Sequence, residues 1–178
     1  VGIQQSHFRI RTIGGNQLIN ANAGGDWAAA LDIDITLDMR VEDGGLLFGT
    51  RFELEEIDTT STTITPKLQY RINGGTWTDC ADVGSVDDYD NAGNNTGIWP
   101  VVVVNKDVFA DGVATTDILG GSALGFVAGT GEHNAIAAST TLDNQHTEIE
   151  WRVLVRRYSN SLASAESDPR SQIDDGDT

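Results

Sequence analysis

The chain has 178 residues, a length that can bury a core without help from metal or disulfide and that suits one domain. Its 27 acidic side chains outnumber 11 basic ones, for a formal net charge of -16. Neutralising phosphates takes clustered Lys and Arg, so neither nucleic acid nor an anionic membrane is an expected partner. No apolar run approaches the ~20 residues of a membrane-spanning helix.

Along the chain, period-two alternation dominates, as half-buried strands require. Phe8 and Ile10 alternate with Arg9 and Arg11, which predicts a first strand over His7 to Ile13. A polar loop from Asn20 to Gly25 follows, then Asp26 to Leu31 (DWAAAL), the one segment with helical propensity and little longer than a turn. Ile33, Ile35 and Leu37 alternate with Asp34 and Thr36, and Phe48, Phe52 and Leu54 oppose Arg51, Glu53 and Glu55. In each predicted strand one side is apolar and the other is read as facing water.

After a Thr-rich loop (Thr59 to Thr65) comes the clearest local unit, KLQYRINGGTWTD from Lys67 to Asp79. Leu68, Tyr70 and Ile72 share a parity, and Asn73, Gly74 and Gly75 supply the backbone freedom of a tight turn, so this is a hairpin. Cys80 is the single cysteine, which rules out an intrachain disulfide and reads as a small buried hydrophobe. The loop from Val83 to Gly97 crowds Asp87, Asp88 and Asp90 with asparagines. These are weak calcium candidates. The EF-hand template fails because Ala92 and Trp99 fall where a ligand and the bidentate Glu belong, and a turn-forming loop explains them as well.

Val101 to Val104, after Pro100, is a β-branched run expected to be buried on both faces or pinned at an edge. Gly120 to Thr141 reads as a long loop with a short strand near Leu124 to Val127. The last confident strand sets Ile149, Trp151, Val153 and Val155 against Glu148, Glu150 and Arg152. The domain is expected to span residues 1–158, with residues 159–178 as a polar C-terminal arm. Short strands separated by turn signals predict an all-β fold, an antiparallel immunoglobulin-like β-sandwich, with a jelly roll as the alternative.

Residues that carry chemistry are sparse. His7, His133 and His146 lie far apart, no G-x-S-x-G elbow occurs, and one Cys with three scattered His gives no zinc-ligand spacing. No catalytic residues, metal site or cofactor are therefore expected. Trp77 and Trp151 sit on predicted strands and belong to the core. Trp27 and Trp99 flank loops, where they either cap the core or stack on a sugar ring. Arg152, Arg156 and Arg157, with Arg9 and Arg11, form the main cationic cluster. They either meet a partner protein or pair within the sheet with Glu148, Glu150 or Glu53.

The hairpin LQYRINGGTWTD resembles that of immunoglobulin and fibronectin-like modules. HFRIRT (His7 to Thr12), GDWAAALDIDITLD (Gly25 to Asp38), KLQYRINGGTWTD, ADGVATTDIL (Ala110 to Leu119) and NQHTEIEW (Asn144 to Trp151) together resemble a loosely characterised family of phage and bacterial β-rich proteins. That resemblance implies a non-enzymatic bacteriophage virion protein, a capsid decoration, head or fibre component in many copies on the virion surface. Its partners would be other virion proteins or copies of itself. The alternative is a carbohydrate-binding or adhesin module of an extracellular protein, using Trp27 and Trp99 on a glycan.

Overall fold

The computed structural model describes residues 2–12, 19–20, 22, 26–35, 45–71, 74–83, 101–104 and 109–156. Among these the fold is all-β, with no α-helix. The strands are β1 (Ile3–Thr12), β2 (Gly45–Glu56), β3 (Thr62–Ile64), β4 (Gln69–Tyr70), β5 (Thr78–Asp79), β6 (Ala81–Val83), β7 (Val101–Val104), β8 (Val113–Ala114), β9 (Gly125–Val127), β10 (Thr130–Glu132), β11 (Thr140–Leu142) and β12 (Gln145–Arg156).

β12 organises the main sheet. One edge pairs antiparallel with β2 along nearly its whole length, from His146↔Glu55 to Arg156↔Gly45. The other edge is shared end to end by three short strands: β9 in parallel at Gln145–Thr147, β10 in parallel at Glu150 and Trp151, and β7 antiparallel at Val153–Val155. β6 adds to β7 in parallel and β8 to β10 antiparallel. The sheet is therefore mixed, where alternation alone predicts an antiparallel one. β1 lies on the far side of β2.

The segment predicted to be a helical turn instead runs beside β1. Trp27 bridges Arg11, and the amides of Ala28 and Asp32 donate to the carbonyls of Ile10 (2.9 Å) and Phe8 (3.0 Å). Six residues cannot repay helix nucleation, whereas the open edge of β1 offers backbone partners at once. Residues 33–35 form no strand and Ile33 is exposed, contrary to the alternation there, while residues 36–37 lie outside the described set. Two expected loops hold short strands. β3 pairs with β11, where Thr63 and Thr141 join hydroxyls at 2.8 Å; within 120–141, β9 is the short strand expected near Leu124 to Val127 and β10 is a further one.

One face of the main sheet carries Phe8, Ile10, Phe48, Phe52, Ile149, Trp151 and Val153, extended by Val101 and Val103. The hairpin β4–β5 and the strip around Ala135 and Ala137 cover it, bringing Leu68, Tyr70 and Cys80 into the core. Backbone bonds from Leu68 to Ala135 and from Ala137 to Pro66 tie that cover together. Gly74 takes a φ of 70°, the left-handed turn conformation that the NGG sequence favours. All four residues of Val101–Val104 are buried: Val102 and Val104 pack with Leu154 on the opposite face.

Candidate functional site

That opposite face is where alternation misleads. Arg51, Glu53, Glu148, Glu150 and Arg152 occupy the positions read as facing water, yet each is 0% exposed, as is Arg11. The segments at 19–20 and 109–119 lie over them and supply backbone partners. Arg11 grips Glu150 through two bonds, Nε to Oε1 at 2.9 Å and Nη2 to Oε2 at 3.3 Å, and Nη2 also donates to the Ile19 carbonyl. Arg51 donates Nε to Glu148 Oε2 at 2.5 Å and Nη1 to Glu150 Oε2 at 2.9 Å, and reaches the carbonyls of Ile19 and Thr116. Arg152 donates Nη1 to Glu150 Oε1. Glu150 thus accepts from three guanidiniums. Glu148 is completed by the amides of Ile118 (3.0 Å) and Leu119 (2.8 Å), so the carboxylate also pins the covering loop.

Register makes the cluster possible. Arg51 stands opposite Glu150 and Gly49 opposite both Arg152 and Arg11. A Cβ on Gly49 would clash with Arg152 Nη1, so a glycine inside β2 leaves room for the guanidinium. Aromatic rings finish the enclosure. Arg11 lies 4.1 Å over Trp27 and Arg152 lies 4.7 Å over Phe109. Burial pushes the Arg152 guanidinium below its usual value, opposed by Glu150. Burial likewise pushes the Glu148 carboxyl up, opposed by Arg51 and the Leu119 and Ile118 amides.

At the end of this face, the buried Glu53 and His146 meet Asp117. His146 Nδ1 donates to the Leu124 carbonyl at 3.0 Å, which directs Nε2 at Asp117 Oδ2, 3.6 Å away and beyond hydrogen-bonding range. Glu53 Oε1 accepts from Ser6 Oγ at 2.6 Å. Glu53 Oε2 and His146 Nε2 are buried and have no hydrogen-bond partner among the described residues. One ligating atom from each of Glu53, Asp117 and His146 falls within 4.8 Å of the others.

His7 occupies the rim. Its Nδ1 bonds Asp32 Oδ2 at 2.6 Å, and this bond, with the charges of Asp32, Glu53 and Glu55, raises its pKa above the usual 6.5 against the opposing effect of burial. A raised folded-state value means that the pair stabilises fully below about 6.5 and that this contribution fades as pH rises through the higher value. The Hε1 resonance of His7 should titrate above 6.5 and shift back in Asp32→Asn. An unchanged midpoint in that variant would show that Asp32 does not hold the imidazole.

The residues singled out from the sequence fare differently. Arg152 is enclosed by Glu150 and Phe109 and offers nothing to a partner; the in-sheet pairing is the one formed. Arg156 closes β12, but its side chain, Arg157 and residues 159–178 lie outside the described residues, as do Trp99, Asp87, Asp88 and Asp90. Trp27 is 7% exposed, bonded to Asn22 through Nε1 and stacked under Arg9 and Arg11, so its ring presents no open face to a sugar. Trp151 is core, and Trp77 is half-buried beneath Arg71. Burial, aided by Asp79 and Asp82, pushes the Cys80 thiol up to about 12, so it stays protonated at neutral pH.

Neither the ionic cluster nor the Glu53, Asp117 and His146 group is found by sequence spacing, because their members come from segments far apart in the chain. Gly49 within a strand of strong β-formers was the available signal. No family model, curated protein or solved structure matches the chain.

Proposed function

We propose that the chain is a non-enzymatic structural domain of a bacteriophage virion surface, a head decoration or fibre component present in many copies. In this reading its β layers form an immunoglobulin-like sandwich, with short parallel strands added along the second edge of β12. The observation that carries the proposal is the closure of the ionic face. Arg11, Arg51, Arg152, Glu148 and Glu150 are wholly enclosed and bond one another and covering backbone, with Arg152 Nε and Nη2 left without a hydrogen-bond partner among the described residues. Such groups stiffen a sheet and fix its cover rather than act on a substrate. The segments resembling phage β-rich proteins, from HFRIRT to NQHTEIEW, support the same reading.

Assembly has to contend with the net charge of -16, which makes copies repel unless carboxylates are paired or screened. With Arg152 enclosed, the contact falls to Arg156, Arg157 and the arm over 159–178, which would meet acidic loops of a neighbouring copy or another shell protein. Purified particles labelled with antibody against the chain should show it at regular surface positions. Deleting 159–178, or reversing Arg156 and Arg157 to Glu, should release it while the circular dichroism of the free protein is unchanged. Labelling absent from particles sinks the virion reading. Wild-type occupancy in both variants sinks the proposed contact.

A further inference from the structure

We propose that Glu53, Asp117 and His146 form a binding site for one divalent transition-metal ion, with zinc the best fit. The argument begins with a buried carboxylate that the ionic cluster leaves out. The bonds of Arg11, Arg51 and Arg152 described above go to Glu148, Glu150 and backbone carbonyls, and none reaches Glu53, although Arg152 Nε and Nη2 have no hydrogen-bond partner among the described residues. Among the described residues, Glu53, fully buried on the same face, receives only the hydroxyl of Ser6, on Oε1, and its Oε2 has no hydrogen-bond partner. A buried anion with an unused oxygen is costly unless a cation meets it.

The second observation is independent of charge. A carbonyl can only accept, so the bond between His146 Nδ1 and the Leu124 oxygen places a proton on Nδ1. In the neutral ring Nε2 then carries a lone pair, and among the described residues it too is buried without a hydrogen-bond partner. A histidine held through one nitrogen by a backbone carbonyl, with the other free, has the arrangement that orients metal-binding imidazoles. Ser6 does the same for Glu53. Phe126, its ring 5.3 Å from that of His146, limits the imidazole's freedom to swing away.

Asp117 completes the set from the solvent side, with its side chain 41% exposed. Zinc binds nitrogen and oxygen at about 2.0–2.2 Å, which puts neighbouring ligand atoms roughly 3–4 Å apart. The three atoms here lie within 4.8 Å of one another, so a modest turn of the exposed Asp117 closes the set without disturbing the sheet. One imidazole with two carboxylates favours zinc and its transition-metal neighbours over calcium and magnesium, which prefer oxygen alone. Two carboxylates also balance a doubly charged ion. Through Asp117 and Leu124, the ion would hold the covering segments at 115–125 against β2 and β12.

The test uses the untagged full chain, stripped with chelator and titrated with zinc, cobalt and calcium in turn. Wild type should take up one equivalent of zinc, gain thermal stability with it, and show the visible absorption of low-symmetry cobalt when cobalt replaces zinc. Asp117→Asn removes an exposed ligand and should fold normally, yet bind zinc at least tenfold more weakly. His146→Ala should bind no stoichiometric zinc. The proposal is overturned by absence of a saturable equivalent in wild type, or by calcium binding as tightly as zinc. Equal zinc affinity in wild type and Asp117→Asn overturns it too, since the ion would then sit on other surface carboxylates.

Discussion

Glu150→Ala is expected to be among the most damaging substitutions in the molecule, costing about 3–5 kcal/mol, the usual penalty for removing one partner of a buried ion pair. The side chain accepts from Arg11, Arg51 and Arg152, all fully buried, so its loss takes a carboxylate from three guanidiniums at once, although Arg51 keeps Glu148. Against a total stability of about 5–15 kcal/mol for an ordinary domain, that approaches unfolding. Glu150→Gln keeps size and one acceptor oxygen and should lose less. Glu55→Ala serves as a comparison, because Glu55 lies on the same sheet face but bonds Gln4 at the surface rather than a buried guanidinium, and it should move the urea midpoint little. If Glu150→Ala and Glu55→Ala unfold at similar urea concentrations, the guanidiniums find water when released and the cluster is not a structural lock.

Trp151→Ala should cost a similar amount, about 3–5 kcal/mol, for a different reason. Trp151 is almost wholly buried at the middle of β12 and meets the ring of Phe52 edge-on, with centroids 6.0 Å apart. Its Nε1 donates to the Asn134 carbonyl at 2.9 Å, so it also fastens the strip that covers the core. Alanine would leave a cavity between β12, β2 and that strip. Trp151→Phe retains most of the packing and forfeits the hydrogen bond, which predicts a loss of about 1 kcal/mol. Equal midpoints for the alanine and phenylalanine variants would mean that the site collapses around the missing ring and that packing there contributes little.

The sequence makes the apolar half of this molecule legible and hides the ionic half. Phe8 with Ile10, Phe48 with Phe52, and Ile149 with Trp151 and Val153 mark three strands and their inner face, because aromatic and branched residues at period two have few other uses. The NGG turn marks the β4–β5 hairpin for an equally local reason. Alternation says that the two faces of a strand differ, but it does not say that the polar face is wet. Whether Arg51 and Glu150 meet water depends on the segments at 19–20 and 109–119, distant in sequence and plain in composition. Short strands such as β3 and β10 are missed for a related reason: three residues carry almost no periodicity. β9 falls where a short strand is expected, but its parallel pairing, like that of β10, is set by where β12 leaves an edge. Glu53, Asp117 and His146 come together only once β2 and β12 are in register.

The order in which β12 finds its neighbours has a kinetic consequence. Among the described strands it comes last in the chain, yet β2, β7, β9 and β10 all pair with it directly. During synthesis β1 and β2 can join as a ribbon while the inner edge of β2 waits, its amides and carbonyls unanswered, for a partner some ninety residues downstream. Such distant pairing places this chain among slow folders. The waiting edge is also the surface through which two nascent copies would stick to each other. The alternating Arg51 and Glu53 then serve before they are buried: on an unfinished ribbon they are, with Glu55, the charges that keep that edge from recruiting the wrong strand.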